Sequence, residues 1–260
     1  VARAVTTSCV ISFLMGIEPS FLIENPSVIE KPNSPPDRVA KPDNMSALIP
    51  DSGPGKDLID TRLLAVLVID DLESAVPLAE SLLAGGIQAM ELTLRTPVAI
   101  EAACRIREAV PEMMLGIGTV LDTDQVDEVV KAGAAFAVSP GVNPTVIRHA
   151  SAAGLPFGPG VMTPTEIDAS VQEGCRLLKF FPAESSGGLA HLMNISAPYN
   201  HLDLRFIPLG GVNVGNLETY LGNDLIGAVG GSWIAPRDLI LEGNWKKIES
   251  NAREARSIAG

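Results

Sequence analysis

From residue 58 onward, short aliphatic runs alternate with longer stretches that have the 3.6-residue period of amphipathic helices. Most of the aliphatic runs have no polar interruption, which is typical of parallel strands covered on both faces. Glycine follows most of the helical stretches and proline begins several of them, as expected at helix ends. The pattern therefore predicts parallel strands joined by right-handed helical crossovers.

Eight strand–helix units can be counted, and they predict a (β/α)8 TIM barrel, an α/β single domain over residues 57–260. The alternative is an open doubly wound sheet, which usually carries Gly-x-Gly-x-x-Gly after its first strand. The sequence at that point is Ile69-Asp70-Asp71-Leu72, so we reject this alternative. The predicted strands cover residues 63–69, 89–94, 113–118, 136–139, 155–158, 177–181, 205–209 and 228–229.

Residues 1–56 are rich in proline and have no sustained period, which predicts a disordered N-terminal extension. An apolar patch at residues 10–17 is too short for a transmembrane helix and lacks the Ala-x-Ala site of a secretory signal. The chain begins with Val1, and Met45 shortly precedes the regular pattern. We therefore expect the native protein to start near Met45.

The amino-acid composition argues against several classes of function. Hydrophobic residues make up 46% of the chain and aromatic residues only 4%, so the core must be largely aliphatic. The net charge of −12 argues against nucleic acid or membrane partners, and an anionic substrate would need a local binding site. Three cysteines and three histidines without paired spacing predict no metal site and no disulfide framework, which favours a cytoplasmic location.

The second predicted strand carries charged residues. Because side chains alternate along a strand, Glu91, Thr93 and Arg95 share one face. Leu92 and Leu94 share the other face and should meet the helices, so the polar set is expected to point into the barrel. Buried charges are costly unless they pair or serve a function. A structural Glu–Arg pair and a functional site both remain open on spacing alone.

The sixth predicted strand places Lys179 inside an apolar run. Burial favours the neutral amine, which is the species that attacks a carbonyl carbon. The alternative is a lysine that reaches out to the barrel mouth or pairs with Glu91 for structural reasons. Because active sites of such barrels lie at the carboxyl ends of the strands, Lys179, Glu91 and Arg95 together favour a Schiff-base site.

Glycine-rich loops follow the last two predicted strands, at Gly210-Gly211 and at Gly230-Gly231-Ser232. Glycine allows close approach of the backbone, and free N–H groups at a following helix bind anions. Barrels often bind phosphate at these two loops. Thr119 after the third strand offers a hydroxyl group, and Pro140 after the fourth offers an apolar wall. His149 and His191 are interpreted as ordinary helix or surface residues.

These residues give the chain its resemblance to the family of 2-keto-3-deoxy-6-phosphogluconate and 4-hydroxy-2-oxoglutarate aldolases. The matching motifs are Glu-Leu-Thr-Leu-Arg-Thr (91–96), Gly-Ile-Gly-Thr-Val-Leu (116–121), Ser-Pro-Gly (139–141), Leu-Lys-Phe-Phe-Pro-Ala-Glu (178–184), Gly-Gly-Val (210–212) and Gly-Gly-Ser-Trp (230–233). They extend from the first strand to Pro236, nearly the whole regular region.

The resemblance implies a class I aldolase with a lysine Schiff base, no metal or other cofactor, and a homotrimer. Lys179 resembles the Schiff-base lysine and Glu91 the general acid/base. It also implies a set of substrate-binding residues: Arg95 and Thr119 for the pyruvate carboxylate, Pro140 and Phe181 for the pocket wall, and Gly210, Gly211, Gly231 and Ser232 for the phosphate. The expected substrate is a phosphorylated keto acid, 2-keto-3-deoxy-6-phosphogluconate.

One position departs from this family pattern. Leu209 stands where the phosphogluconate-specific enzymes carry threonine, and relatives acting on the galactonate epimer also have an apolar residue there. Loss of a hydroxyl partner can reduce discrimination between substrates. The galactonate epimer and 4-hydroxy-2-oxoglutarate therefore remain alternative substrates. A phosphate-binding barrel isomerase or decarboxylase without imine chemistry is a further alternative, as is a catalytically silent scaffold barrel.

Overall fold

The structure is a computed structural model of the 260-residue chain and describes residues 48–260. The apolar patch at residues 10–17, Met45 and the rest of the predicted extension up to residue 47 lie outside the described residues.

The predicted strands are present, with small shifts at their ends. The predicted fifth strand, residues 155–158, is followed by a further short strand that the sequence did not predict, and Pro159, which has no N–H group to donate, separates the two. The strands are β1 (Leu63–Leu67), β2 (Ala89–Thr93), β3 (Met114–Gly118), β4 (Phe136–Val138), β5 (Phe157–Gly158), β6 (Gly160–Val161), β7 (Leu177–Phe180), β8 (Arg205–Pro208) and β9 (Val229–Gly231).

Helices connect the strands, and several begin at the caps that the sequence provides. The Asp122 side chain accepts a hydrogen bond from the Gln125 N–H, and Thr163 forms a reciprocal capping box with Glu166. The helices are α1 (Gly53–Thr61), α2 (Ala75–Ala84), α3 (Ala99–Ala109), α4 (Thr123–Lys131), α5 (Pro144–Ala152), α6 (Pro164–Gln172), α7 (Gly188–Ser196), α8 (Val214–Leu221), α9 (Arg237–Leu241) and α10 (Trp245–Ala259).

The strands pair in parallel throughout both sheets of the described chain. A six-stranded sheet has the order β5-β4-β3-β2-β1-β9, and a three-stranded sheet has the order β6-β7-β8. Because β5 and β6 are separated by a single residue, Pro159, they connect the two sheets along the chain. The alternation of parallel strands and helices gives an α/β, TIM-barrel-like fold.

Helix α1 corrects the predicted domain boundary. It begins at Gly53, so the predicted end of the extension at residue 56 falls inside a helix. Leu48 and Leu58 are fully buried, and the Leu48 carbonyl accepts a hydrogen bond of 3.0 Å from the N–H of Leu177 at the start of β7. No clear hydrophobic period is visible here because a helix of nine residues contains few repeats. Residues 48–56 therefore belong to the fold.

An apolar cluster fills much of the strand interior, and two charged residues lie beside it. Leu64, Ala89 and Leu177 belong to an inner cluster that also contains Leu58 of α1, at the amino ends of the strands. Glu91 and Lys179 follow two residues later on β2 and β7, so they lie one layer nearer the carboxyl ends. The apolar layer thus supports a charged layer directly above it.

Within residues 48–260, no helix is long and apolar enough to cross a membrane.

Candidate active site

Lys179 and Glu91 meet inside the fold although 88 positions separate them in the sequence. The Lys179 Nζ donates a hydrogen bond of 2.9 Å to Glu91 Oε1. The side chain of Lys179 is 7% exposed and that of Glu91 is fully buried. A charge pair with so little solvent is costly to bury, and its Coulomb attraction is correspondingly strong. The predicted inward direction of Glu91 is confirmed, and its ion-pair partner is Lys179 rather than Arg95.

Glycine at position 118 leaves the room that the Glu91 carboxylate occupies. A Cβ atom at residue 118 would lie 2.0 Å from Glu91 Oε1, closer than two atoms can approach. Within residues 48–260, Glu91 Oε2 is buried and has no hydrogen-bond partner. A buried carboxylate oxygen without a partner is rare, because leaving it unsatisfied is costly. The free oxygen is therefore available to a bound molecule.

An aromatic ring and a proline stand beside the lysine. Lys179 Nζ lies 5.4 Å from the centre of the Phe181 ring, within the range of a cation–π contact. Phe181 is half-buried, and Pro140 is exposed immediately after β4. A Cβ atom at Gly160 would lie 2.3 Å from the Pro140 carbonyl oxygen, so β6 packs directly against this loop. Both residues that the sequence assigns to the pocket wall therefore follow strands at the same end of the fold.

Thr119 and Arg95 also follow the carboxyl ends of strands. Thr119 comes directly after β3, is half-buried and has a φ angle of 63°, a left-handed conformation that is uncommon for a β-branched residue. Such strain is concentrated at functional sites in proteins. Arg95 lies two residues beyond the end of β2 and is exposed to solvent, where its guanidinium group can reach an incoming anion. The fold brings both residues to the edge at which Glu91 is located.

The two glycine-rich loops follow β8 and β9. Gly210 and Gly211 have φ angles of 94° and 85°, which non-glycine residues rarely adopt. Asn213 then caps α8, so this loop leads into a helix N-terminus. Gly231 is the last residue of β9, and a side chain there would clash with the ring of Trp233. The next residue, Ser232, is exposed. Loops of this kind present backbone N–H groups to anions.

Glu184 and Tyr220 form a pair that the sequence reasoning missed. The Tyr220 hydroxyl group donates a hydrogen bond to Glu184 Oε1. Burial raises the pKa of Tyr220 above its ordinary value, and the bond to Glu184 raises it further. Glu184 is part of the Lys-Phe-Phe-Pro-Ala-Glu motif, but Tyr220 is an aromatic residue within a helix, a type that usually serves packing. The sequence offered no signal that would join the two.

The histidines lie outside this arrangement. His149 Nε2 is 2.8 Å from Asp127 Oδ1 at the surface, and His191 Nε2 is 2.9 Å from the Met162 carbonyl oxygen. In the described part of the chain, no group of three or more His, Cys, Asp or Glu side chains could hold a metal ion.

The fold and the site together define a class of protein. A buried lysine next to a buried carboxylate, at the carboxyl ends of parallel strands, is an arrangement suited to imine chemistry on a carbonyl substrate. The glycine-rich loops at the same end suit a substrate that carries an anionic group.

Comparisons with known proteins give the family. The family model described as KDPG and KHG aldolase matches residues 56–251. The 2-dehydro-3-deoxy-phosphogluconate aldolase of Treponema pallidum (strain Nichols) is 40% identical over 199 residues, which cover 76% of this chain and 94% of that protein. The KHG/KDPG aldolase of Escherichia coli (strain K12) is 40% identical over 193 residues, covering 74% of this chain and 90% of that protein.

A solved structure is similar over the same region. The KDPG aldolase from Legionella pneumophila, crystallised with pyruvate captured at low pH as a covalent carbinolamine intermediate, has a TM-score of 0.74 and 39% sequence identity. The match covers 78% of this chain and 97% of that structure. The chain therefore belongs to the KDPG and KHG aldolase family, and it is a carbon–carbon lyase.

Proposed function

We propose that this protein is a class I aldolase that cleaves 2-keto-3-deoxy-6-phosphogluconate to pyruvate and glyceraldehyde 3-phosphate through a Schiff base on Lys179. The observation that carries the proposal is the buried contact of 2.9 Å between Lys179 Nζ and Glu91 Oε1. An amine and a carboxylate this close together could act on neighbouring carbon atoms of one substrate, which supports the proposal. The Legionella relative, with pyruvate held as a carbinolamine, supports covalent chemistry of this kind.

In the first half of the reaction, Lys179 passes a proton to Glu91 along their hydrogen bond, and the neutral amine attacks the C2 ketone of the substrate. Glu91 returns this proton to the C2 hydroxyl group, which leaves as water, and the resulting protonated imine withdraws electrons from the neighbouring carbon–carbon bond. Glu91 accepts the proton of the C4 hydroxyl group, and its Oε2 oxygen is the atom without a protein partner in the described residues. The C3–C4 bond then breaks, glyceraldehyde 3-phosphate leaves, and its electron pair remains on the enamine.

In the second half, Glu91 returns its proton to C3 of the enamine, and the resulting imine is hydrolysed to pyruvate and the free Lys179 amine. We propose that Arg95 and Thr119 bind the substrate carboxylate, because an arginine can donate two parallel hydrogen bonds to it. Pro140 and Phe181 would form the apolar wall. The phosphate group would be bound by Gly210, Gly211, Gly231 and Ser232, at the loops that follow β8 and β9.

The proposal includes a closed barrel of eight strands, in which β5 and β6 count as one. Two observations support closure. The backbone N–H of Lys179 donates a hydrogen bond of 3.0 Å to the Pro159 carbonyl, and this bond joins β7 to the residue between β5 and β6. Phe206 of β8 forms an isolated parallel bridge with Ile226. The Phe206 carbonyl also accepts a hydrogen bond of 2.9 Å from the N–H of Gly227, close to the start of β9. By resemblance to the family, the barrel is expected to form a homotrimer, which light scattering would measure.

Substitution of Lys179 tests this function. Lys179→Ala removes the imine-forming amine, and we expect turnover to fall to the background rate of the assay. The matched control is Lys131→Ala, since Lys131 is an exposed residue at the end of α4 and should leave turnover unchanged. Measured turnover in the Lys179 variant above a few per cent of the wild-type rate would contradict the mechanism.

Leu209 is the position that tests the choice of substrate. It is 3% exposed, and a Cβ atom at Gly230 would lie 2.1 Å from its Cδ2 atom, so glycine at 230 leaves the space for this leucine. We expect Leu209→Thr to increase the ratio of kcat/KM for the phosphogluconate over that for its galactonate epimer, because it adds a hydroxyl partner. An unchanged ratio would mean that Leu209 does not contact the part of the substrate in which the epimers differ.

A further inference from the structure

The side chain of Glu184 is held at both of its ends. Its carboxylate accepts a hydrogen bond from the Tyr220 hydroxyl group, and Tyr220 is buried on α8. Its stem packs against the glycine loop, because a Cβ atom at Gly211 would lie 2.6 Å from Glu184 Cβ and 2.9 Å from Cγ. The two contacts hold in place a residue that is otherwise exposed to solvent.

The backbone of the same segment is bonded to the glycine loop. The Glu184 N–H donates a hydrogen bond of 3.0 Å to the Gly210 carbonyl. The Ala183 N–H donates one of 2.7 Å to the Leu209 carbonyl. The loop after β7, which continues from Lys179 and Phe181, is therefore directly connected to the loop after β8. Because the carbonyl groups of residues 209 and 210 accept these hydrogen bonds, they do not face a ligand at the loop.

Tyr220 connects a third element to this arrangement. Helix α8 begins at Val214, directly after the glycine loop, and Tyr220 lies six residues further on. Side chains in a helix point back toward its N-terminus, so the hydroxyl group of Tyr220 reaches toward the loop at which the helix starts. The bond to Glu184 thereby fixes α8 relative to the segment after β7, with Gly210 and Gly211 between them.

We propose that Glu184 and Tyr220 are positioning residues that hold the Gly210–Gly211 loop in place for the anionic end of the substrate. In this role neither residue needs to contact the reacting carbon atoms. A free carboxylate beside a phosphate group would repel it, and the bond to Tyr220 holds the Glu184 carboxylate on the α8 side. The pair thus sets the distance between the Lys179 amine and the phosphate loop. This inference rests on the proposed function, since it assumes that the loop binds phosphate.

The test is Tyr220→Phe, assayed in the direction of synthesis with pyruvate and two aldehydes. We expect KM for D-glyceraldehyde 3-phosphate to rise about three- to tenfold, the effect of losing one hydrogen bond, with kcat within twofold of wild type. KM for unphosphorylated D-glyceraldehyde should not change, because that aldehyde makes no use of the loop. The half-saturating pyruvate concentration for borohydride trapping should also be unchanged.

Two further variants separate positioning from general stability. Glu184→Gln keeps an oxygen that accepts the Tyr220 hydroxyl bond, so we expect KM for the phosphorylated aldehyde within twofold of wild type. Glu184→Ala removes both the bond and the packing on Gly211, and should raise that KM at least as much as Tyr220→Phe. The matched control is Tyr199→Phe, since the Tyr199 hydroxyl group donates to Asp168 Oδ1 and the Pro164 carbonyl, away from the glycine loop.

The outcomes are distinct. Equal changes for both aldehydes, or a normal KM in both Tyr220→Phe and Glu184→Ala, would overturn the positioning role. If Tyr220→Phe does not fold by circular dichroism, the comparison of Glu184→Gln with Glu184→Ala decides the question, because Glu184 is exposed to solvent. If wild-type protein forms no pyruvate adduct on Lys179, the proposed function fails; if the adduct forms and the variants behave as wild type, only this inference fails.

Discussion

Lys179 on β7 donates a hydrogen bond of 2.9 Å to Glu91 on β2, directly above an apolar layer that contains Leu177 and Ala89. The two strands belong to different sheets, so the contact joins the six-stranded sheet to the three-stranded sheet. Leu177 and Ala89 are fully buried, and Lys179 and Glu91 lie two residues nearer the carboxyl ends of their strands. A substrate entering there meets the amine and the carboxylate together.

Glu91→Gln tests the role of the carboxylate in proton transfer. Glutamine has nearly the same shape and can still accept a hydrogen bond from Lys179, but it cannot accept a proton. We expect kcat to fall by about 10²- to 10⁴-fold, the usual contribution of a positioned acid–base group. Steady-state kinetics with the phosphorylated substrate measures this effect. A kcat within threefold of wild type would assign proton transfer to another group.

Gly118→Ala tests whether the space beside Glu91 is needed. The new methyl group would lie 2.0 Å from Glu91 Oε1, so the carboxylate must move away from Lys179. We expect kcat to fall at least tenfold, because small displacements of catalytic groups are costly. The control is Gly141→Ala, since a Cβ atom there meets nothing within 4 Å. Equal activity of the two variants would show that Glu91 tolerates displacement.

The ion pair between Arg237 and Asp70 predicts a pH-dependent contribution to stability. Arg237 Nε donates a hydrogen bond of 2.8 Å to Asp70 Oδ2, and this bond lowers the pKa of Asp70 below its ordinary value. A lowered carboxyl pKa stabilises the fold above the unfolded-state pKa of about 3.9, and this contribution is lost as the pH falls through the folded-state value.

Asp70→Asn should therefore lower the melting temperature at neutral pH by no more than a few degrees, since the pair is partly exposed. The difference between variant and wild type should begin to shrink as the pH falls below about 4, and it should vanish below the lower folded-state pKa of Asp70. Thermal unfolding followed by circular dichroism at several pH values measures it. A difference that stays constant down to pH 3 would mean that the charge of Asp70 is not responsible.

Cysteine labelling tests the burial of the core. Cys104 is exposed on α3, whereas Cys175 is buried and its Sγ donates to the Phe157 carbonyl. Burial raises the pKa of Cys175 to about 12, and the nearby Glu173 carboxylate also raises it. At pH 7.5 a maleimide should modify Cys104 within minutes and leave Cys175 unmodified until denaturant is added. Peptide mass spectrometry after timed quenching distinguishes the two, and rapid native labelling of Cys175 would contradict its burial.

Most strands could be predicted because they are short aliphatic runs. Most helices could be predicted because their hydrophobic residues repeat every 3.6 positions and because glycine or proline marks their ends. Lysine and glutamate within aliphatic strands were also a strong signal, since burial of either is costly without a partner. The pairing of Glu91 with Lys179 rather than with Arg95 was not decided by spacing, because β2 ends at Thr93 and Arg95 lies beyond the strand. Strand length is set by pairing with neighbours, which sequence alternation alone does not give.

Other features depend on contacts between distant segments. Helix α1 was missed because its importance comes from Leu48 and Leu58, which pack against the amino ends of strands far along the chain. Glu184 and Tyr220 were not joined because 36 residues separate them and neither position has a pattern that indicates the other. Such pairs follow from the tertiary fold, and local sequence rules do not contain them.

The most direct test of the central claim is covalent trapping of pyruvate. The full-length protein is incubated with pyruvate and sodium borohydride, digested, and analysed by peptide mass spectrometry. We expect a reduced pyruvyl adduct on Lys179 in wild-type protein, and no adduct at this position without borohydride or without pyruvate. Folded protein that shows no adduct, or an adduct on a different lysine, would contradict the proposed imine chemistry at Lys179.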